Sequence, residues 1–348
     1  MKGLVKYARG HGNMEIRDIQ QPVPSEREVL VQVEATGICG SDLHVFEDSI
    51  AIPMRVPVVV GHEFSGVVIE VGDVVETVTP GMRVTALPSV RICGRCRYCR
   101  LGSINLCIGR ESMGYYHDGS FTRQCLVPER CVRQLPDNVS YRAAAMSEPL
   151  ACAVHAVVEL TRVSAGDLVA IVGPGSIGLL CLQVVLAEGG KAVVFGRKQD
   201  EKRLQLARRL GAQTTVIIDT EDPEAVMKEH SDGYGADVVL ECSGSSSGAG
   251  LALRLVRKEG KYTQVGLFSG PIDFDLEIVA VKELQFTGSF GQQPASWKRA
   301  LDLMHDGKVD TEALISHELP LADWNRAFEV FRSQEGIKIL LDVTDSGE

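Results

Sequence analysis

The chain has 348 residues, 45% of them hydrophobic and 24% charged, with 35 glycines and an aromatic share of only 5%; this excludes a disordered or fibrous protein and calls for more than one core. A formal net charge of −10 at pH 7 argues against nucleic acid as a partner, because phosphate binding demands a basic surface. Ten cysteines in so long a chain fall short of a disulfide scaffold, and no secretory signal follows Met1, so a cytoplasmic location is expected.

Up to about residue 150 the pattern is one of short Val-rich runs broken by Gly and Pro. KGLVKY, EVLVQVEATGICG, PVVVGHEFSGVVIEVG, RVTAL and FTRQCLV read as strands of an antiparallel, barrel-like domain. Cys39 sits in GICGSDLH, His62 and Glu63 in GHEFSG, and Glu148 farther on in SEPLA. One thiol, one imidazole and one or two carboxylates from separate loops suit a zinc ion that keeps an exchangeable position, as catalytic zinc does. Composition alone does not separate that reading from a core cysteine beside a structural histidine.

The stretch CGRCRYCRLGSINLC is different in kind. Cys93, Cys96, Cys99 and Cys107 follow C-x2-C-x2-C-x7-C spacing, which lets one loop wrap a tetrahedral ion at about 2.3 Å per Zn–S bond. Four thiolates fill the coordination shell, so such a site folds a loop and does not catalyse. The ending characteristic of a ferredoxin cluster, C-x3-C-P, is missing. A nucleic-acid-binding zinc module is disfavoured by the acidic balance of the chain.

From residue 168 the rhythm becomes strand then helix. LVAIVGPGSIGLLCLQVVLA carries no charge for twenty residues, long enough to span a bilayer, but Gly173, Pro174, Gly175 and Ser176 interrupt it. A buried strand, a tight loop and a buried helix are expected instead, and no membrane span. Gly173, Gly175 and Gly178 have G-x-G-x-x-G spacing between that strand and that helix, the context of a dinucleotide site. Gly173, Pro174, Gly175, Ser176, Ile177 and Gly178 would face the pyrophosphate at the helix N-terminus. AVVF, the next strand, ends in Gly196, Arg197 and Lys198 where an acid would hold a plain ribose diol. A small residue followed by cations, with Arg203 beyond, favours the extra phosphate of NADP over NAD. TTVIID, ADVVLECSG, KYTQVGL and ELQFTGSF complete six apolar runs, and alternating β and α elements imply a parallel doubly wound sheet. Helical PASWKRALDLMHDG and LADWNRAFEVFRSQ and a last strand, GIKILLDVT, return to the style of the first part.

Taken together, the closed four-cysteine lobe, the open Cys/His/Glu set and the central GxGxxG resemble the zinc-dependent medium-chain dehydrogenase family over essentially the whole chain. GHEFSG, CGSDLH and EPLA are similar to the branch with sorbitol (polyol) and threonine dehydrogenases. The resemblance implies an α/β protein: a GroES-like β-rich catalytic domain over 1–150 with its zinc lobe at 91–108, an inserted Rossmann domain over 151–288, and a return to the catalytic domain over 289–348. It implies two Zn2+ per chain, NADP or NAD as cofactor, a small alcohol or ketone substrate and a homo-oligomer, dimer or tetramer. Cys39, His62 and Glu63 match the catalytic zinc ligands, Glu148 the carboxylate that binds the metal directly or through water, Ser41 the hydroxyl beside the bound alcohol, and His44 the imidazole of a proton path. Two departures weaken a polyol substrate: Gly291 stands where that branch tends to carry Arg, and Val45 where it tends to carry Tyr. CAVHAV at 152–157 is similar to threonine dehydrogenases and keeps an L-threonine 3-dehydrogenase in view. A non-catalytic nicotinamide-binding member is the remaining alternative, although no ligand position at 39, 62 or 63 is lost.

Overall fold

The computed structural model describes residues 1–50, 52–268 and 270–344. Two compact units divide the chain: residues 1–148, 293–305 and 311 onward form the first, and residues 149–292 with 306–310 the second.

The first unit opens with strands β1 (Lys2–Lys6), β2 (Met14–Asp18), β3 (Glu28–Gly37), β4 (Val58–Val59), β5 (Glu63–Val71), β6 (Arg83–Ala86), β7 (Gln124–Pro128) and β8 (Val132–Gln134). β1 lies between β2 and β4 in a small antiparallel sheet. β3 is the hub of the larger one, pairing antiparallel with β5 and with β7. Its sequence, EVLVQVEATG, buries the alternating Val29, Val31, Val33 and Ala35 in the core, and Leu30 and Thr36 are buried as well. The register sets Gly37 opposite Glu63 and Thr36 opposite Phe64. That register brings the chain just after β3 against the chain just before β5, although more than twenty residues separate them.

In the second unit β9 (Leu168–Val172), β10 (Lys191–Gly196), β11 (Thr214–Ile217), β12 (Ala236–Glu241), β13 (Val256–Gln264) and β14 (Gln285–Gly288) form a parallel sheet in the order β11-β10-β9-β12-β13-β14. This is the doubly wound, Rossmann-type arrangement, with the order reversing at β9. Every residue of β9 is buried, and the helix Ser176–Ala187 that follows buries residues from Gly178 to Val185. Burial on both sides of a parallel sheet explains the uncharged run. No helix among the described residues is long and apolar enough to cross a membrane.

The chain then returns to the first unit with helix Pro294–His305, β15 (Ile315–Pro320), helix Trp324–Arg332 and β16 (Lys338–Asp342). β16 pairs antiparallel with β3, extending its sheet, while β15 pairs with β16 in parallel. β15 and β16 can pair in parallel because the intervening helix supplies the crossover that a parallel connection requires and an antiparallel hairpin does not.

Candidate active site

Cys39 lies two residues past the end of β3, and Glu63 opens β5 with His62 just ahead of it. The β3–β5 register therefore brings Cys39, His62 and Glu63 together, with one ligand atom from each lying within 4.8 Å of the others. Gly37 makes room for this: a Cβ there would meet Lys338 Cε at 2.7 Å and Glu63 Oε2 at 2.8 Å. The helix Gly40–Glu47 begins at Cys39, whose backbone N–H donates to Asp42 Oδ2 at 2.8 Å. That cap points Asp42 Oδ1 toward His62 Nδ1, 3.6 Å away. Ser41 Oγ donates to Cys39 Sγ at 3.1 Å and lies 2.6 Å from Tyr115 Oη, itself 3.1 Å from His62 Nδ1. Glu63 is ion-paired with Lys338, whose ammonium also donates to Ile38 O at 2.8 Å.

The electrostatics of this set are those of a buried, closely coupled group. Burial pulls the His62 pKa down, but the charge and hydrogen bonds of Asp42 and Cys39 outweigh it and hold the imidazole well above its ordinary value. Lys338 behaves alike: burial opposes its charge, and Glu63 more than restores it. Burial first, then the negative charges of Asp42 and Cys39, pushes the Tyr115 phenol well up, so its hydroxyl stays protonated. Glu148 is not one of the three converging ligands. It is buried, and its carboxyl is raised chiefly by that burial, with His62 opposing and Glu63 adding to the shift. His44, the expected relay, pairs through Nδ1 with Ser49 Oγ at 3.1 Å.

The donor set fits zinc. A thiol, an imidazole and a carboxylate converge in a buried spot where positive charge is favoured on His62, and a dication would satisfy all three at once. The four-cysteine lobe fits too, in a different manner. Cys93, Cys96, Cys99 and Cys107 converge within 4.8 Å, and their own loop supplies N–H donors to sulfur. Cys96 N donates to Cys93 Sγ at 3.4 Å, Cys99 N to Cys96 Sγ at 3.5 Å, and Cys93 N and Gly109 N to Cys107 Sγ at 3.3 and 3.4 Å. The Cys99 N–H, foremost, lowers the Cys96 thiol to about 6, while burial raises Cys99 to about 12. A loop that presents N–H groups to its sulfurs is prepared for thiolates. Of the other cysteines, Cys125, Cys131 and Cys181 are buried as core residues, whereas Cys152 and Cys242 are half-buried.

In the second unit Gly173 follows β9 at φ +100°, a conformation only glycine takes easily, and a Cβ there would also meet Ser243 N at 2.7 Å. Pro174 and Gly175 turn the chain into the helix that begins at Ser176, with Ile177 and Gly178 in its first turn. Gly196 is the buried last residue of β10, and Arg197 and Lys198 follow it exposed. Asp200, the nearest acid, is turned inward: its carboxylate accepts from Arg197 N at 3.0 Å and pairs with Arg203 at 3.5 Å. Arg203 is thus held against Asp200, and Lys198 N donates to Asp219 at 2.6 Å.

Comparison with known proteins agrees with this geometry. The family model described as the alcohol dehydrogenase GroES-like domain matches residues 25–137, and that described as zinc-binding dehydrogenase matches 176–306. A sorbitol dehydrogenase of Halalkalibacterium halodurans is 41% identical over 99% of this chain and 100% of its own length. A D-arabitol-phosphate dehydrogenase of Enterococcus avium is 40% identical over 98% and 97%. A protein of Sinorhizobium meliloti 1021 solved bound to NADP superposes with a TM-score of 0.88 at 31% identity, over 98% of both chains. The chain belongs to the zinc-dependent medium-chain dehydrogenase family, and it is an oxidoreductase with a GroES-like and a Rossmann-type domain.

Asp42, Tyr115 and Lys338 are functional neighbours that no motif marks. Asp42 lies inside CGSDLH and Tyr115 in the unremarkable MGYYHDG, neither with a spacing that betrays its role. Lys338 did carry a signal, a cation opening the buried strand KILLD.

Proposed function

We propose that this protein oxidises a secondary alcohol of a polyol, cyclitol or sugar derivative, with zinc at Cys39, His62 and Glu63 and with NADP, or NAD, at the Gly173–Gly178 turn. The observation that carries this reading is the convergence of those three ligands beside the Ser41–Tyr115 hydroxyl pair. The high identity to a sorbitol and an arabitol-phosphate dehydrogenase supports the substrate class. Gly291 and Val45 still remove two hydrogen-bonding partners for a sugar alcohol, so specificity must come from other side chains. The exposed Arg197 and Lys198 support NADP, as does the turning inward of Asp200, the first acid after β10, onto Arg197 N and Arg203.

When bound, zinc supplies a depressed pKa for a coordinated hydroxyl, as it takes bound water from about 16 to about 7, and the nicotinamide supplies the hydride acceptor. The protein's own residues orient the alcohol and handle its proton. Ser41 Oγ meets the alcohol oxygen, Glu148 balances charge next to His62 and Glu63, and His44 with Ser49 carries the proton outward to solvent. Zinc in the Cys93–Cys107 lobe is structural in this reading.

The chain is further proposed to act as a homo-oligomer in the cytoplasm. β14 is the end strand of its sheet, and Phe286 on it is 44% exposed, with Leu276 and Val281 on the preceding helix each 67% exposed, an apolar edge that a second copy would cover. Light scattering that returns a monomer at micromolar concentration refutes this part.

The deciding experiment follows nicotinamide absorbance with NAD and NADP side by side, over sorbitol, xylitol, galactitol and its phosphate, inositols, L-threonine and simple secondary alcohols. Turnover on a polyol or cyclitol, faster with NADP, is the expected result. Turnover on threonine alone replaces the substrate class, and zinc-loaded protein that is silent on the whole panel overturns the catalytic reading.

A further inference from the structure

Ser41 has one proton and two neighbours, Cys39 Sγ at 3.1 Å and Tyr115 Oη at 2.6 Å. Tyr115 likewise has one proton, with Ser41 Oγ on one side and the two ring nitrogens of His62 on the other, Nδ1 at 3.1 Å and Nε2 at 3.5 Å. Asp42 Oδ1 is buried with no hydrogen-bond partner and lies 3.6 Å from the same His62 nitrogen. A proton on His62 Nδ1 thus has two acceptors facing it, the orphaned carboxylate oxygen and the phenol oxygen. With that nitrogen a donor and Nε2 the one left to ligate a metal ion, the Tyr115 proton has a single destination, Ser41 Oγ. The proton of Ser41 is then left to point at Cys39 Sγ or at an oxygen bound beside it.

We propose that Tyr115 is a positioning residue that locks the Ser41 hydroxyl as a hydrogen-bond donor toward the substrate oxygen. The inference rests on the dehydrogenase reading for its consequence, though not for its geometry. A hydroxyl that already accepts from another hydroxyl is a better donor, because successive hydrogen bonds polarise one another. Negative charge grows on the substrate oxygen as its proton leaves, and a donor fixed in advance stabilises that charge without reorganising. The route inward through Tyr115 is closed to the departing proton, since His62 Nδ1 is already occupied. Discharge must run outward, away from His62. The ring of Tyr115 is 3% exposed and tilted 40° to His62 at 5.2 Å between centroids, so packing holds the phenol where the hydroxyl chain needs it.

The test uses Tyr115→Phe, which removes one oxygen and keeps the packed ring, together with Ser41→Ala and the double variant. Expected for Tyr115→Phe is a fall in kcat of about tenfold, the size of one hydrogen bond that matters in the transition state, with KM within about twofold. The same change made on the Ser41→Ala background should cost nothing further, because Tyr115 acts only through that hydroxyl. Metal analysis should find the zinc content of Tyr115→Phe unchanged. A wild-type kcat in Tyr115→Phe, additive losses in the double variant, or lost zinc would each overturn the proposal. Thermal melting of the four proteins as purified gives a second reading that needs no substrate: the two single variants should lower Tm by shifts that do not add. Additive shifts mean that the hydroxyls are not bonded, and the proposal falls. Wild-type protein inactive on every alcohol defeats the dehydrogenase reading alone, and the melting cycle still decides for or against the Ser41–Tyr115 pair.

Discussion

Two ligand sets lie in the same unit and are built in opposite ways. Cys93, Cys96, Cys99 and Cys107 come from one short loop, with N–H groups of that loop aimed at the sulfurs and with Arg91, Arg95, Arg97 and Arg100 exposed around them. Cys39, His62 and Glu63 come from the facing ends of two strands, deep in the unit, and each is held by something other than a metal: Asp42 caps the Cys39 turn, Tyr115 and Asp42 flank His62, and Lys338 grips Glu63. The loop depends on its ion for a reason to fold, since a short stretch with few buried side chains has little else to hold it. The strands need no ion, because hydrophobic burial along β3 and β5 already fixes their register. A set that exists before its ligand arrives can leave a position open for chemistry. A set that the ion itself assembles uses every position on the ion.

That contrast is broken most directly by removing one thiol from each set. Cys39→Ala should cost at least about a thousandfold in turnover, since it strips a ligand from the atom that polarises the substrate, while circular dichroism and Tm stay near those of the parent. Cys96→Ala should do the reverse in order: one zinc equivalent lost and a Tm fall first, with activity declining only as the fold does. Metal analysis and melting on both variants check the pair. Normal melting with lost activity in Cys96→Ala, or a collapsed Tm in Cys39→Ala, would merge the two sets into one kind.

The same contrast explains what the sequence could and could not disclose. The four-cysteine lobe is contiguous, so its spacing alone announces a tetrahedral site. The strand–helix alternation after residue 168 is equally local, and all six apolar runs from LVAIV to ELQFTGSF are strands of the parallel sheet. β2 was not foreseen because MEIRD, mostly exposed on an edge, lacks a run of apolar residues. The open set was only half legible, since residue types suggested it but only the β3–β5 register brings residue 39 to residues 62 and 63, and register is a property of the folded sheet; the family resemblance supplied what local pattern left open. Tyr115 and Lys338 are harder still, as each reaches the set from a third segment. The hydroxyl pair lay equally beyond local pattern: the partner of Ser41 is seventy-four residues away, while His44, three residues from Ser41, pairs with Ser49.

A smaller effect sharpens the claim that the open set is held without metal. Lys338 and Glu63 are 2% and 1% exposed as side chains, so removing the cation strands a carboxylate in the interior. Lys338→Met should destabilise the protein by about 3 kcal/mol or more, as breaking one half of a buried pair does. Lys338→Met with Glu63→Gln should recover most of it, since no charge is then left to desolvate. Denaturant unfolding of the metal-depleted protein measures both. Equal stability of the single and double variants would show that the Glu63 charge is satisfied by something other than Lys338.

The smallest effect concerns a carboxylate that belongs to neither set, and it bears on how the loops of this β-rich unit are pinned. Glu129 Oε1 accepts from Thr77 Oγ1 at 2.7 Å, Thr77 N at 2.7 Å and Glu76 N at 2.8 Å, tying the loop after β5 to the turn between β7 and β8. Those bonds, the Thr77 hydroxyl foremost, hold its pKa below the ordinary carboxylate value. A depressed folded pKa stabilises above the unfolded pKa, about 4.3 for Glu, and that contribution disappears as pH falls through the folded value. Glu129→Gln keeps an acceptor oxygen of the same shape but not its charge, so the variant should be slightly less stable than the parent at pH 7, with the gap narrower at about pH 3. Unfolding curves at the two pH values decide the matter. A gap that persists unchanged in acid would assign the effect to shape and leave the charge with no part in holding the loop.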